Sequence, residues 1–282
     1  MRAPTRSPYV FTEARLRLWV KEGRGQGEGA DYRPWLQCRN VKSRGRKHRL
    51  RGILHDRVLH VMSDLERNAL LFFERQPQVL DVREQFPLDR DVTREIARAM
   101  GVRHPADPVT NVDIVMTTDL LVTFMGKGCL PVARAFSVKE ASDMLKPRTV
   151  VKQEIERRYW ERFGYGWQPL LDTELRRAGY FNAVLWAREW FYLPVAGTPK
   201  GVWRQRCQRV IAALAARRDD DLGTLVRRLE AQGGFGAGEV LSTLRHLVAR
   251  QAVDYAFAEG TPTLDTPLTL FGLRAAVARQ VA

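Results

Sequence analysis

Asp119 and Lys139 carry the first suggestion of chemistry in this chain. They stand in two apolar segments, VDIVMTTDLLVTFM (112–125) and LPVARAFSVKE (130–140), joined through Gly126, Lys127 and Gly128. Two such runs around a glycine-containing turn read as a β-hairpin. Strand side chains alternate between faces, so Asp119 shares a face with Thr117 and Leu121, and Ser137 shares one with Lys139. With the turn near Lys127 and Gly128, counting back places Asp119 opposite Phe136 or Ser137. Carboxylate and ammonium then meet on one surface. A metal-dependent phosphodiester hydrolase needs that much: a carboxylate for a divalent cation, a second oxygen ligand, and a lysine beside the attacking water. By itself the spacing D-x17-S-x-K has low specificity, because Asp and Lys fall at such distances in many strands.

Glu66 adds a second carboxylate. Ser63 and Glu66 have the S-x-x-E spacing of a capping box, which opens a helix running to about Arg75. Ala69, Leu70 and Phe73 follow Glu66 on the same side, so the carboxylate emerges from an apolar face. Burial there needs a cation, a donor or a metal. Two readings stand level: Glu66 turns back to the Ser63 N–H as a cap, or it serves a metal.

These residues need elements to position them. At 282 residues, with 45% hydrophobic and 28% charged side chains, the chain has the composition of a globular protein and the length of two ordinary domains. A short basic helix is expected over 10–22 and a strand over VLDVREQFPL (79–88). The hairpin follows, then a helix from about Val150 to Phe163 and a final strand in WQPLLDTEL (167–175). From Trp203 the texture changes to three helix-period segments, WRQRCQRVIAALAAR, DLGTLVRRLEAQ and AGEVLSTLRHLVARQ. A hairpin-like tail, VDYAFAEGTPTLDTPLTLF, completes the pattern of a winged helix. The expected fold class is α/β: a mixed-sheet domain over 1–199, then an α-rich winged-helix domain over 200–282.

The net charge of +14 points to a polyanionic partner, with nucleic acid first. Residues 1–60 alone hold 15 basic against 5 acidic side chains. The densest run is VKSRGRKHRLRG (41–52), where Arg44, Arg46, Lys47 and Arg49 are candidates for phosphate contacts without base reading. A solvated basic surface is the plainer alternative. The glycine-rich stretch before it lacks the Lys-Ser/Thr of a P-loop, so it reads as a connector or a loose phosphate cradle.

Other residues argue for little chemistry. Cys38, Cys129 and Cys207 form no CxxC pair, which speaks against a zinc ribbon or disulfide framework. His48, His55 and His60 lack the acidic and Asn partners of an HNH site, His104 reads as a turn residue, and His246 lies on a helix surface. Asp219, Asp220 and Asp221 precede a helix and read as its cap. No apolar run reaches the ~20 residues that cross a bilayer, and the start lacks a secretory h-region. A cytoplasmic protein, nucleoid-associated when active, is expected.

Read in order, six segments resemble the TnsA family of transposition endonucleases. They are KEGRGQGEGADYRPWL (21–36), SDLE (63–66), REQFPL (83–88), MTTDLLV (116–122), VK (138–139) and ERRYW (156–160). The resemblance spans roughly residues 10–175. It implies a restriction-endonuclease-like domain of PD-(D/E)xK type that cuts the 5′ ends of a transposon. The implied catalytic residues are Glu66, Asp119 and Lys139, with Asp119, Glu66 and the Val138 carbonyl holding Mg2+ or, in its place, Mn2+. The implied partners are double-stranded DNA, a DDE transposase, TnsB, and an AAA+ ATPase, TnsC. That family commonly has Gln or Glu where this chain has Ser137, a shorter and neutral side chain. Serine is only a weak ligand, so Ser137 is a candidate for supporting the metal-binding residues from behind. A catalytically weak DNA-binding subunit of the same complex and a free-standing restriction-type nuclease are the alternatives.

Overall fold

A computed structural model describes residues 10–41, 45–192, 199–216 and 220–274. Two compact units divide between Arg176 and Arg177. This differs from the boundary at 199/200 expected from texture. The helix Ala178–Arg188 belongs to the second unit, where it packs against Glu239–Ala249. Arg245 donates to the Trp186 carbonyl at 2.6 Å and His246 Nδ1 meets that of Trp190 at 2.8 Å.

The first unit opens with α1 (Glu13–Lys21), capped by the Thr12 side chain, and a small antiparallel pair, β1 (His48–Arg51) and β2 (Val58–Val61). Next come α2 (Asp64–Glu74), β3 (Val79–Pro87) and α3 (Arg90–Ala99). The hairpin β4 (Thr117–Met125) and β5 (Pro131–Lys139) precedes α4 (Pro147–Arg162), β6 (Gly166–Leu171) and a short α5 (Asp172–Leu175). The central sheet runs β3-β4-β5-β6. Its first three strands are antiparallel, and β6 joins parallel to β5, so the sheet is mixed as expected.

The hairpin strand starts at Thr117 rather than at 112, because the preceding segment is held in a loop by Asp107 N–H to Val112 O (2.9 Å) and Ile114 N–H to Pro105 O (3.0 Å). The segment expected as a final strand divides: WQPLL lies in β6, and Asp172 to Leu175 turn into α5.

Both faces of the sheet are covered. On one, Leu121 and Ala135 cluster with Ile155, Tyr159 and Trp160 of α4 and with Ile96 and Ala97 of α3. On the other, Phe73 of α2 meets Phe136, ring centroids 4.6 Å apart, and Phe124. Leu70 and Leu120 are fully buried; truncating a leucine in such a position to Ala costs roughly 2–5 kcal/mol. Proline at the first position of α4 suits a helix start, where its missing N–H would be unpaired anyway.

The second unit contains α6 (Ala178–Arg188), α7 (Lys200–Ala216), α8 (Leu222–Ala231) and α9 (Glu239–Ala249). The strands β7 (Val253–Tyr255) and β8 (Phe271–Leu273) then pair antiparallel. The three expected helices are present as α7, α8 and α9. Asp221 caps α8 by accepting the Thr224 N–H at 2.6 Å, while Asp219 lies outside the described residues. No helix among the described residues is long and apolar enough to cross a membrane.

Candidate active site

The site forms where the C-terminal end of β5 passes the N-terminal part of β4. The ladder pairs Leu120 with Phe136, which sets Asp119 against Ser137, as counting from the turn predicts. Asp119 Oδ2 gathers three donors: the Val138 N–H at 2.7 Å, the Lys139 ammonium at 2.7 Å and the Ser137 hydroxyl at 3.3 Å. The same ammonium donates to the Val138 carbonyl at 2.9 Å. A carboxylate and a backbone carbonyl thus converge on one cation. Burial opposes the charge on Lys139, but Asp119 and Glu156 outweigh it and hold the amine above its usual value.

Glu66 is 8% exposed, on the first turn of α2. The Ser63 hydroxyl accepts the Glu66 N–H at 3.1 Å, so that half of the capping box is present. The other half is altered: the carboxylate takes the Met62 N–H at 2.8 Å, not that of Ser63, and the Ser63 hydroxyl at 3.2 Å. Burial, then the negative charge of Asp119, pushes its carboxyl up to about 7. Two carboxylates that resist sharing one region provide a natural seat for a cation. Glu66, Asp119, Val138 and Lys139 are therefore brought together by three different elements.

Sequence reasoning missed four residues here. Gln85 is 3% exposed, has φ +50°, and donates from Nε2 to Glu66 Oε2 at 3.1 Å. The β3–β4 ladder pairs Glu84 with Leu120 and then Phe86 with Thr118, so Gln85 and Asp119 face each other without a ladder pair. Here the strict alternation of β4 breaks. Thr118 receives the Trp160 indole N–H at 2.6 Å, while Leu121, three residues on, also packs against α4. Thr118 donates in turn to Glu156 at 2.8 Å, a buried carboxyl pushed up to about 7 by burial and by Asp119. Gln153 donates to the Ser137 hydroxyl at 2.9 Å, and its own Oε1 is buried with no partner among the described residues. Both residues sit on α4, and the apolar residues at helix spacing around them are a signal for a helix face, not for a site.

The basic segment lies against the start of α2, where His48 meets Asp64 at 2.7 Å. Arg46 and Arg49 are exposed. Lys47 is spent on the Cys38 carbonyl (2.7 Å) and the Val41 carbonyl (2.9 Å), so it is a weaker candidate for phosphate contact than its type suggests. Arg44 lies outside the described residues. The histidines separate: His48 meets Asp64 at 2.7 Å, His55 the Leu80 carbonyl at 3.1 Å, and His60 accepts the Cys38 N–H at 3.3 Å. Burial and nearby arginines bring His60 down to about 4, leaving it neutral. His104 is buried against Thr93 at 3.0 Å. Among the described residues no three His, Cys, Asp or Glu side chains gather to hold a metal.

A sequence model of the family described as TnsA-like endonuclease N terminal matches residues 76–171, which hold Asp119, Val138, Lys139 and Glu156. The transposon Tn7 transposition protein TnsA of Escherichia coli is 34% identical over 246 residues, covering 87% of this chain and 86% of that protein.

Proposed function

The chain belongs to the TnsA-like endonuclease family, and we propose that it hydrolyses one DNA strand at the 5′ ends of a mobile element, with Mg2+ as cofactor and Mn2+ as its substitute. The carrying observation is the convergence of Asp119 Oδ2 and the Val138 carbonyl on the Lys139 ammonium, at 2.7 and 2.9 Å.

The donors fit a hard divalent cation. Asp119 and Glu66 offer carboxylate oxygens and Val138 a carbonyl oxygen, the ligand type that Mg2+ prefers. When bound, such an ion would polarise the scissile phosphate and make a water acidic enough to attack. The protein's own groups do the rest. The Val138 N–H fixes the rotamer of Asp119, and Met62 N–H and Gln85 fix Glu66. Lys139, kept cationic by Asp119 and Glu156, would hydrogen-bond the attacking water or a phosphate oxygen.

Ser137 favours a second reading, a DNA-binding subunit with weak catalysis of its own. Its hydroxyl is engaged by Asp119 and Gln153 rather than offered to an ion. On the main reading, the partners are double-stranded DNA at the element ends, a DDE transposase of TnsB type and an AAA+ ATPase of TnsC type. Arg44, Arg46 and Arg49 would add phosphate contacts. The second unit, read as a winged-helix-like module, would dock the ATPase.

Strand-resolved cleavage of a labelled element end by the assembled transposase tests this directly. Cutting at the 5′ ends in Mg2+ or Mn2+ and none in EDTA is expected. Cutting at the 5′ ends that persists in EDTA, or that persists when this chain is left out, would refute the assignment.

A further inference from the structure

The first unit contains a cavity of about 510 Å3 between residues 102–111 and the start of α4. Its lining carries three cations, Arg103, Arg148 and Lys152, against one carboxylate, Asp107. That carboxylate is already satisfied, accepting the backbone N–H groups of Phe11 (2.9 Å), Val109 (2.9 Å) and Thr110 (3.0 Å). Among the described residues, neither Arg148 nor Lys152 has a carboxylate within ion-pairing distance.

The rest of α4 is built differently. Arg157 pairs with Glu154 and Glu161, Arg158 with Glu154, and Arg162 with Glu95. Arg148 and Lys152 stand four residues apart, a like-charge spacing that costs a helix about 0.2–0.5 kcal/mol. Lys152 is half-buried, and burial together with the charges of Arg148 and Lys139 depresses its ammonium. A helix that neutralises the arginines of its second half and, among the described residues, leaves two cations without a carboxylate at a cavity mouth offers that mouth to an anionic ligand. The place is next to the candidate active site: Lys139 is close enough to act on Lys152, and Gln153, the next residue, touches Ser137.

We propose that this cavity is a phosphate subsite, in which Arg148 and Lys152 take a backbone phosphate of the duplex on one side of the bond to be cut. The inference rests on the nuclease reading above. A free anion would want an enclosed ring of donors. This cavity is far larger than one phosphate and its arginines are exposed, which suits one unit of a continuing polyanion.

The test is the salt dependence of duplex binding by the full chain in EDTA, so that cleavage plays no part and the nuclease reading is judged separately. The pair Arg148→Gln/Lys152→Gln should lower the slope of log K against log salt by about 0.9 for each phosphate that the chain no longer neutralises. The pair Arg157→Gln/Arg158→Gln, from the same helix but already paired, should keep the wild-type slope, and Lys152→Arg should keep it too. Because the removed charges repel each other, the first pair should melt no lower than wild type. A wild-type slope in that pair, or an equal reduction in the control pair, would overturn the proposal. So would abolished binding of inorganic phosphate, read by calorimetry, with an unchanged duplex slope, since that assigns the cavity to a free anion.

Discussion

Gln85 reaches Glu66 from a left-handed backbone: its side-chain amide donates to Glu66 Oε2 at 3.1 Å while its φ is +50°. A bulky residue in that region costs on the order of 1–3 kcal/mol and persists only where its surroundings impose it. They do so here. Trp35 N–H holds the Gln85 carbonyl at 3.2 Å, Tyr32 OH holds that of Glu84 at 3.1 Å, and Arg57 grips the buried Glu84 carboxylate at 2.7 and 2.9 Å. Gln85→Gly removes the amide and relieves the strain together. Cutting should fall by about 10–100-fold, as for other groups that orient metal ligands, while the melting temperature holds or rises. Near wild-type cutting would show that Gln85 serves the fold alone.

Ser137→Ala separates orientation from ligation. Asp119 keeps the Val138 N–H and Lys139, so cutting should stay within about tenfold of wild type. The Gln153 amide loses its acceptor inside the protein, so stability should drop by about 1–3 kcal/mol. Urea unfolding and strand-resolved cutting on the same preparations decide it; abolished cutting without a stability loss would make Ser137 a ligand.

How much of this could be read in advance differs from residue to residue. The meeting of Asp119 with Lys139 was legible because a hairpin register follows from counting outward from Gly126, Lys127 and Gly128. The local break in alternation at Asp119 was not, because it depends on the conformation of Gln85 in a neighbouring strand, and glutamine gives no sign of a positive φ. The pair β1–β2 was hidden by four-residue strands and by the basic character of His48–Arg51. For α3 the signal was present, with Asp89 accepting the N–H groups of Asp91 and Val92, but its high charge masked a helix buried only at Thr93, Ile96 and Ala97. The expected boundary at 199/200 differs from the observed division because α6 has no texture of its own, and its packing on α9 and on Phe257 assigns it to the second unit.

Glu66 and Glu156 both rise from 4.5 to about 7, through burial first and Asp119 second. Between those values the unfolded chain has released protons that the folded chain keeps, so stability should fall as pH rises through this window. Glu156→Gln removes one such group and keeps an acceptor for Thr118. It should flatten the fall and stabilise the protein at pH 8 by on the order of 1–3 kcal/mol, with little change at pH 4.5. Urea midpoints at the two pH values measure it, and equal pH slopes for variant and wild type would remove Glu156 from the account. If Glu66 holds the cation as proposed, cutting should rise over the same range, because a carboxylate binds a cation only when ionised.

A chain ended at Arg176 should fold, since α5 is tied to α2 by Asn68 Nδ2 donating to the Leu175 carbonyl at 3.0 Å within the first unit. A chain ended at residue 199 should be less well behaved, because Phe181, Val184 and Ala187 of α6 lose the helix that buries them. The shorter chain should bind Mn2+ by calorimetry yet lose activity in the assembled reaction, with the ATPase no longer recruited. Unchanged capture of the ATPase by the shorter chain would contradict the docking role.

The most direct measurement is 5′-end cutting by the assembled transposase carrying Asp119→Ala or Lys139→Ala, with the 3′-end reaction read in the same tube. On the proposed reading each substitution removes a group at the reacting centre, so 5′ cutting should fall by at least ~100-fold while the fold and the 3′ reaction are kept. Either variant cutting the 5′ ends at close to the wild-type rate would show that the convergence of Asp119, Val138 and Lys139 is a structural ion pair and not the catalytic centre.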